Sequence, residues 1–232
     1  MAAKVDLMQI ASEDFVESES KILEDTSLVT QKDANHRTIL HWAAVMGKER
    51  LVEFLLKFKD SPFDEPDDTD ATPLILATLK GSLPICRMLI DRGANVNHRN
   101  SNGHTPIKYA GSKNHKDLLS YLLDHGGDPN VRDHIGDTPL HRVASMEHHE
   151  CLRILLTHPK SSPIILINAQ NNLGNTPLHL ACEGDDATGA ILLIDAGAST
   201  EICNKEKASP LDVCKPPLRR KLMEHKNKTT AN

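Results

Sequence analysis

Short apolar stretches recur along the chain at a nearly constant interval. Each begins with Thr or Ser, usually followed by Pro, and continues with aliphatic residues at helical spacing, which predicts a short helix. A second apolar stretch of helical character follows each of the first five, so the elements are expected in pairs. The first stretches begin at Thr38, Thr72, Thr105, Thr138, Thr176 and Ser209, at intervals of 34, 33, 33, 38 and 33 residues.

The repeated segment resembles T-P-L-H-x-A, and it is complete at Thr176-Pro177-Leu178-His179-Leu180-Ala181. Thr is expected to accept a hydrogen bond from the first helical turn, where Pro removes no needed donor. Leu and the small Ala are predicted to point into the stack of helices. The His is predicted to form a hydrogen bond between repeats, a structural role.

A 33-residue period with this motif is the signature of ankyrin repeats. The predicted fold is therefore all-α, an ankyrin-repeat solenoid of seven repeats with hairpin loops and degenerate capping repeats. Residues 1–232 are expected to form one domain. Its predicted repeats span residues 5–37, 38–71, 72–104, 105–137, 138–175, 176–208 and 209–232.

The first repeat departs most from the motif. Counting back from Thr38 places Leu7, Ile10 and Ala11 at the apolar motif positions, and Ile22-Leu23 in the second helix. Terminal repeats of such stacks carry polar outer faces, because those faces meet water. The acidic residues near this repeat fit that expectation: Glu13, Asp14, Glu17 and Glu19.

The charge composition argues against one class of function, nucleic-acid binding. The net charge of −5 argues against a nucleic-acid surface, which needs a basic footprint. Residues 1–204 hold 19 Lys and Arg against 29 Asp and Glu, whereas residues 205–232 hold 8 against 3. The two ends either meet different features of a partner or simply keep the surface soluble.

Localisation is expected to be cytoplasmic and nuclear. The five cysteines are odd in number and scattered, so a disulfide framework is not expected. Acidic residues interrupt the N-terminal region where a signal peptide would need an apolar core. The apolar stretches are too short to cross a membrane.

Catalytic and metal chemistry find no support in the pattern of residues. His41, His141 and His179 occupy motif positions, and His148 and His149 are adjacent and cannot easily face one ion together. No phosphate-loop, nucleophile-elbow or HExxH motif is present. We expect no cofactor, no metal and no enzymatic activity.

The fifth motif position is expected to face a concave groove. It holds Trp42, Leu76, Tyr109, Arg142, Leu180 and Val213. Trp, Tyr and Arg are enriched in binding hot spots, so these side chains are predicted to bind a protein. The alternative is that the rings only pack against adjacent hairpins. Charged neighbours expected to add steering and register are Arg37, Asp68, Asp70, Lys113 and Glu183.

The 38-residue step contains five extra residues around 158–163, and they are expected to project as a loop. Such insertions usually cost little stability. A contact with a partner through this loop stays open, and so does an adaptor function that uses residues 158–168.

Several segments resemble the gankyrin family of ankyrin-repeat proteins. These are RTILHWAAVMGKERLVEFLL at 37–56, Lys113-Asn114, NTPLHLA at 175–181, Gly197-Ala198-Ser199 and Asn204-Lys205-Glu206. The resemblance implies an assembly chaperone of the 26S proteasome regulatory particle. Its groove would hold the C-terminal domain of one AAA ATPase subunit by charge complementarity, with Arg37, Trp42, Asp68 and Lys113 at contact positions.

The resemblance also implies further partners, namely a cyclin-dependent kinase, a ubiquitin ligase and the retinoblastoma protein. The last of these uses an LxCxE motif in the family, and the equivalent Leu180-Ala181-Cys182-Glu183-Gly184 has Gly184 in place of Glu. That partner is therefore not expected here. A signalling inhibitor that masks a kinase or transcription factor remains the alternative function, and a monomer is expected.

Overall fold

The computed structural model describes residues 5–161 and 164–230, and every regular element in those ranges is helical. Helices α1 to α6 are Leu7–Ser12, Phe15–Glu24, Ile39–Met46, Glu49–Leu55, Pro73–Lys80 and Leu83–Asp91. Helices α7 to α10 are Pro106–Ser112, Lys116–Asp124, Pro139–Ser145 and His149–Thr157. Helices α11 to α14 are Pro177–Glu183, Ala187–Asp195, Pro210–Val213 and Pro216–Thr230, and Thr26–Val29 forms one turn of 3₁₀ helix. The helices follow one another in the predicted pairs.

The chain divides into two compact units, residues 1–109 and 110–232, with the division inside α7. In unit 1 the first helices of the pairs, α1, α3 and α5, pack side by side, and α4 packs against α2 and α6. In unit 2 the same arrangement holds for α9, α11 and α13 and for α8, α10, α12 and α14. The prediction of a single domain with seven given repeat bounds stays a prediction.

Motif Leu and Ala side chains form the core of each unit, as the pattern predicted. Leu40 and Ala43 are buried in unit 1, and Leu178 and Ala181 are buried in unit 2. In the first repeat Leu7, Ile10, Ala11 and Ile22 are buried, and Ile22-Leu23 lies in the second helix, α2, as expected. Leu23 is 59% exposed, because Phe15, Ser18 and Ile22 form the inward side of α2.

The motif histidine closes the first turn of its helix and also joins two repeats. Thr138 N–H donates to His141 Nδ1 at 3.2 Å, so the proton of the neutral ring lies on Nε2. His141 Nε2 then donates to the Asn175 carbonyl at 2.9 Å. His179 repeats both contacts, with Nε2 3.1 Å from the Ala208 carbonyl. The predicted bond between repeats is confirmed for these two residues.

The last repeat keeps this cap with a different residue. Ser209 N–H and Oγ both donate to Asp212 Oδ2, at 3.0 and 2.7 Å. The Ser209 hydrogen bonds hold the pKa of Asp212 below its ordinary value. In this repeat the Asp212 carboxylate therefore accepts the capping hydrogen bonds that a neutral imidazole accepts in the repeats of His141 and His179.

A repeated Asp or Asn closes each hairpin between repeats. Asp133 Oδ1, for example, accepts hydrogen bonds from the backbone N–H of Ile135 at 3.0 Å and of Asp137 at 2.9 Å. The third residue after it has a left-handed backbone, a conformation that favours Gly. The closing residues are Asp33, Asp67, Asn100, Asp133, Asn171 and Asn204, and the left-handed ones are His36, Asp70, Gly103, Gly136, Gly174 and Lys207.

All five cysteines are free thiols, and only Cys203 is exposed. Burial raises the pKa of the Cys86 thiol to about 12 and that of Cys151 to about 11. Thiols with such pKa values stay protonated and react slowly at neutral pH. None of the helices in the described ranges combines the length and the apolar character needed to span a membrane.

Candidate protein-binding face

The side chains at the fifth motif position, together with the hairpins beside them, are called here the position-five face. In unit 1 this face is centred on Trp42, which lies on α3 and is half-buried. Its indole Nε1–H donates to Asp33 Oδ2 at 2.9 Å. The guanidinium carbon of Arg37 lies 4.9 Å from the centre of the ring, a distance suited to a cation–π contact. The predicted pair Arg37 and Trp42 is therefore brought together.

Arg37 is also joined to the next hairpin. Its Nε donates to Asp67 Oδ2 at 2.9 Å, and the Asp67 side chain is fully buried while that of Arg37 is 23% exposed. Burial alone would raise the pKa of Asp67, but hydrogen bonds from Thr69, Ala71 and Arg37 outweigh it and lower that pKa. Asp67 is thus an anion at neutral pH, and Arg37 is the cation that compensates it.

The pKa of Asp33 is likewise set by burial on one side and hydrogen bonds on the other. Burial acts to raise its pKa, yet the backbone N–H of Arg37 and the indole of Trp42 donate to its carboxylate and hold the pKa below its ordinary value. Trp42 thus has the carboxylate of Asp33 at its indole N–H and the guanidinium of Arg37 over its ring. Only part of the indole remains exposed to a partner.

Asp68 and Asp70 lie on the hairpin that Asp67 closes, and both are exposed. The backbone N–H of Asp68 donates to the Asn35 carbonyl of the preceding hairpin at 3.0 Å. Asp70 takes the left-handed backbone position, with φ 57°. Their carboxylates form the acidic part of the position-five face in unit 1.

Tyr109 occupies the same motif position as Trp42 and has the same kind of anchor. Its hydroxyl accepts a hydrogen bond from Asn100 Nδ2 at 2.9 Å, and Asn100 closes the hairpin of that repeat as Asp33 does for Trp42. The ring also meets His104 edge to face, with centroids 5.3 Å apart. Tyr109 is half-buried.

The expectation that both rings lie on an exposed groove therefore needs correction. Trp42 and Tyr109 are half-buried, and Leu76 at the same position is buried. The polar atom of each ring already has a partner in its own hairpin, which favours the alternative that the rings pack against hairpins. A partner protein can contact their remaining edges and the acidic residues beside them.

In unit 2 the predicted site residues point more freely to solvent. Lys113 follows α7, Arg142 lies on α9, and Glu183 ends α11, and all three are exposed. Leu180 is half-buried on α11. These side chains follow one another along successive first helices of unit 2. They supply two cations, one aliphatic group and one carboxylate.

The electrostatics around Glu183 are distinctive. Partial desolvation and then the negative charge of Glu206 raise the pKa of Glu183. A cationic group from a partner would relieve both effects. Its neighbour Cys182 is buried within α11, so the LxCxE-like segment cannot be presented whole, and Gly184 already breaks the motif.

Sequence reasoning missed the residues that hold this face in place. The contact between the residue before the motif Thr or Ser and the closing residue of the next hairpin is called here the latch. It joins Arg37 to Asp67 in unit 1, and in unit 2 it joins Asp137 to Asn171 and Asn175 to Asn204. A signal was present, because Asp or Asn stands five residues before every motif Thr or Ser.

No group of three or more His, Cys, Asp or Glu side chains comes together as potential metal ligands in residues 5–161 and 164–230. The insertion after α10 is only partly described, since Ser162 and Pro163 lie outside those ranges. Ser161 before them is buried, and its Oγ donates to the Leu155 carbonyl at 2.7 Å.

Paired helices and hairpins closed by a repeated Asp or Asn define a helical repeat scaffold. Residues 7–100, 59–133 and 126–206 each match the family model for ankyrin repeats in three copies. The chain belongs to the ankyrin-repeat family. Ankyrin repeats serve protein–protein interaction, and the predicted all-α ankyrin-repeat solenoid is confirmed.

A solved structure and two relatives describe the likeness further. The crystal structure of the human ASB11 ankyrin repeat domain superposes with a TM-score of 0.81 over 96% of this chain and 98% of that one, at 22% identity, which supports the fold alone. Dauer abnormal formation protein 25 of Caenorhabditis elegans is 32% identical over 104 residues, 45% of this chain and 27% of the relative. The 26S proteasome non-ATPase regulatory subunit 10 of Rattus norvegicus is 44% identical over 57 residues, 25% of this chain and 24% of the relative. The aligned part of the chain spans about a quarter of the length of each relative.

Proposed function

We propose that this protein is a non-enzymatic assembly chaperone of the proteasome. It binds the C-terminal domain of one AAA ATPase subunit of the 26S proteasome through the position-five face. It acts in the cytoplasm and the nucleus.

The proteasomal assignment is supported by the stretch that is 44% identical to proteasome non-ATPase regulatory subunit 10. It is also supported by the gankyrin-like segments around Arg37-Thr38 and Lys113-Asn114. An ATPase domain is a folded protein partner, and a scaffold with preorganised hairpins suits such a partner because little order has to be gained on binding.

The position-five face carries both signs of charge in separate places. Asp68 and Asp70 are exposed in unit 1, whereas Lys113 and Arg142 are exposed in unit 2. Exposed charges of this kind steer encounter and set the register of a complex more than they add raw affinity. Each of the two groups would be matched by a region of opposite charge on the partner.

The decisive test uses Lys113 and Arg142 and leaves Arg37 intact, since reversing Arg37 would also break its ion pair with Asp67. The full chain carrying Lys113→Glu and Arg142→Glu is titrated with the purified C-terminal domain of each proteasomal ATPase. We expect one domain to bind the natural chain and the double variant to raise its Kd by at least about tenfold. The difference in Kd between the natural chain and the double variant should become smaller at high salt, because salt screens the charges.

The matched control is Lys116→Glu with Arg153→Glu, which makes the same change of charge on exposed positions of the second helices α8 and α10. This control should bind within about twofold of the natural chain. Equal loss in both variants would mean that net charge, and not the position-five face, governs binding. Recovery of a kinase or a ubiquitin ligase from cell extract, with no proteasomal ATPase, would instead favour a signalling inhibitor.

A further inference from the structure

Two neighbouring hairpins of unit 2 end in exposed aliphatic side chains. Ile135 is 61% exposed and Leu173 is 66% exposed. Both stand two residues after the Asp or Asn that closes the hairpin. The four other hairpins have polar residues at this position: Asn35, Thr69, Asn102 and Glu206. Adjacent exposed aliphatic groups at one register position differ from scattered exposed ones, because they form a common surface.

Hydrogen bonds fix the first of these tips against the second. The backbone N–H of Asn172 donates to the Ile135 carbonyl at 2.9 Å, and Asn172 Nδ2 donates to the His134 carbonyl at 2.9 Å. The latch from Asn171 Nδ2 to Asp137 Oδ1, also 2.9 Å, joins the bases of the same two hairpins. The spacing between the two aliphatic side chains is therefore set by the fold before any partner arrives.

The glycine that follows each aliphatic residue packs closely against the next hairpin. Gly136 and Gly174, the residues that follow them, both have φ 81°. A Cβ atom at Gly136 would lie 2.8 Å from the Asn172 nitrogen, and one at Gly174 would lie 2.8 Å from the Lys205 nitrogen. This close packing of glycine against the next hairpin fixes the position of each tip.

Positive charge lies at one end of this pair. The next tip is Lys205-Glu206-Lys207, and its Lys205 N–H donates to the Leu173 carbonyl at 3.0 Å. Both lysines are exposed, and so is Glu206 between them, so two ammonium groups and one carboxylate give this tip an excess of positive charge. The complement of two aliphatic groups followed by two ammonium groups is a segment with aliphatic side chains followed by carboxylates.

We propose that Ile135, Leu173, Lys205 and Lys207, called here the tip surface, form a second contact for the partner protein. The tip surface binds a partner segment that presents two aliphatic side chains and then acidic ones. This inference rests on the proposed function and adds to it the chemistry of the partner segment. Burial of two aliphatic side chains in a preorganised surface supplies affinity, and the lysines set the direction of the segment.

The test is a titration of the full chain with the ATPase C-terminal domain that the natural chain binds. Ile135→Ser with Leu173→Ser should raise Kd by at least about tenfold, since it removes the aliphatic contact. Lys205→Glu with Lys207→Glu should raise Kd by about threefold or more and should lower its dependence on salt, because the charge contact is lost. Neither pair of changes touches a buried side chain, so thermal unfolding should be unchanged.

The control pair is Asn35→Ser with Asn102→Ser, at the same register position of two hairpins in unit 1. It should leave Kd within about twofold of the natural value. If Lys113→Glu with Arg142→Glu abolishes binding while the Ile135 and Leu173 pair binds normally, the tip surface is wrong and the proposed function stands. If no proteasomal ATPase domain binds the natural chain, the proposed function and this inference are both overturned.

Discussion

The latch between hairpins is made of different chemistry in the two units. In unit 1 it is an ion pair, from Arg37 Nε to the buried carboxylate of Asp67. In unit 2 it is made by amides, from Asn171 Nδ2 to Asp137 Oδ1 at 2.9 Å and from Asn204 Nδ2 to Asn175 Oδ1 at 2.8 Å. Both versions occupy the same register and join consecutive hairpins.

Pairing within the fold determines which charged side chains a partner can contact. In unit 1 the guanidinium of Arg37 is committed to Asp67 and Trp42, so a residue predicted to contact a partner is mainly a structural one. In unit 2 Lys113 and Arg142 are not latch residues, and both are exposed. A charged residue in a sequence is thus available for binding only where the fold has not already paired it.

Among the substitutions that compare the two kinds of latch, Arg37→Ala should change the free energy of unfolding most. It leaves the buried carboxylate of Asp67 without its cation and should lower the free energy of unfolding by about 3–4 kcal/mol. This is the lower end of the range for a broken buried ion pair, because Arg37 is partly exposed. Urea unfolding followed by the fluorescence of Trp42, the single Trp of the chain, measures this locally.

The amide latch provides the matched change. Asn175→Ala removes a neutral hydrogen bond and should lower the free energy of unfolding by only about 1 kcal/mol, measured by circular dichroism. Arg142→Ala, at an exposed position, should change it by less than about 0.5 kcal/mol. Equal costs for Arg37→Ala and Asn175→Ala would show that the two latches do not differ as described.

The second prediction concerns pH and the buried histidine of unit 1. Burial lowers the pKa of His41 from 6.5 to about 4. Because the folded pKa lies below the unfolded one, the stabilisation is complete above pH 6.5 and is lost as the pH falls from 6.5 to 4. The loss should reach about 3 kcal/mol, since one pKa unit is worth about 1.4 kcal/mol.

Urea unfolding of unit 1 at several pH values checks this, and His41→Gln should flatten the dependence between pH 6.5 and 4. His36→Gln changes an exposed residue of the same unit and should leave the pH dependence of the free energy of unfolding as steep as in the natural chain. The lowered pKa values of Asp33 and Asp67 act in a different window, because their contribution is lost only below the ordinary value of 3.8. A dependence that is unchanged in His41→Gln would contradict the neutral buried ring.

The smallest predicted effect concerns the left-handed hairpin residues. Unit 2 uses Gly136 and Gly174 in two hairpins but Lys207 in the third, with φ 63°. Lys207→Gly should raise the free energy of unfolding by about 0.5–1 kcal/mol, because the strain of a side chain in this conformation exceeds the entropic cost of Gly. Thermal unfolding measures the gain, and Lys205→Gly, at a position with ordinary backbone, should not produce one.

The sequence predicted the repeat, the helix pairs and the buried motif residues because these depend on local pattern and period. Leu178, Ala181 and His179 occupy the places that the motif assigns to them. The candidate site was predicted less well, because exposure depends on contacts between repeats. The bond from Trp42 to Asp33 and the ion pair from Arg37 to Asp67 span 9 and 30 residues. The repeated Asp or Asn five residues before each motif Thr or Ser marks one partner of these contacts, but it does not indicate the other.

The exposed tips were missed for another reason. The pairs Ile135-Gly136 and Leu173-Gly174 are typical of turns, but a turn pattern does not indicate whether an aliphatic side chain within it is buried or exposed. The positions of the two tips depend on hydrogen bonds to the next hairpin and on its close approach to the glycines.

In unit 2 the residues that cap the first helices and join the hairpins do not include the fifth motif position. Thr176, His179 and the latch residues hold the repeat together, whereas Arg142, Leu180 and Val213 stand outside those contacts. A library randomised at 142, 180 and 213 would therefore sample new specificities on a backbone that does not change. Selection can in the same way exchange one partner for another at these positions while the repeat architecture persists.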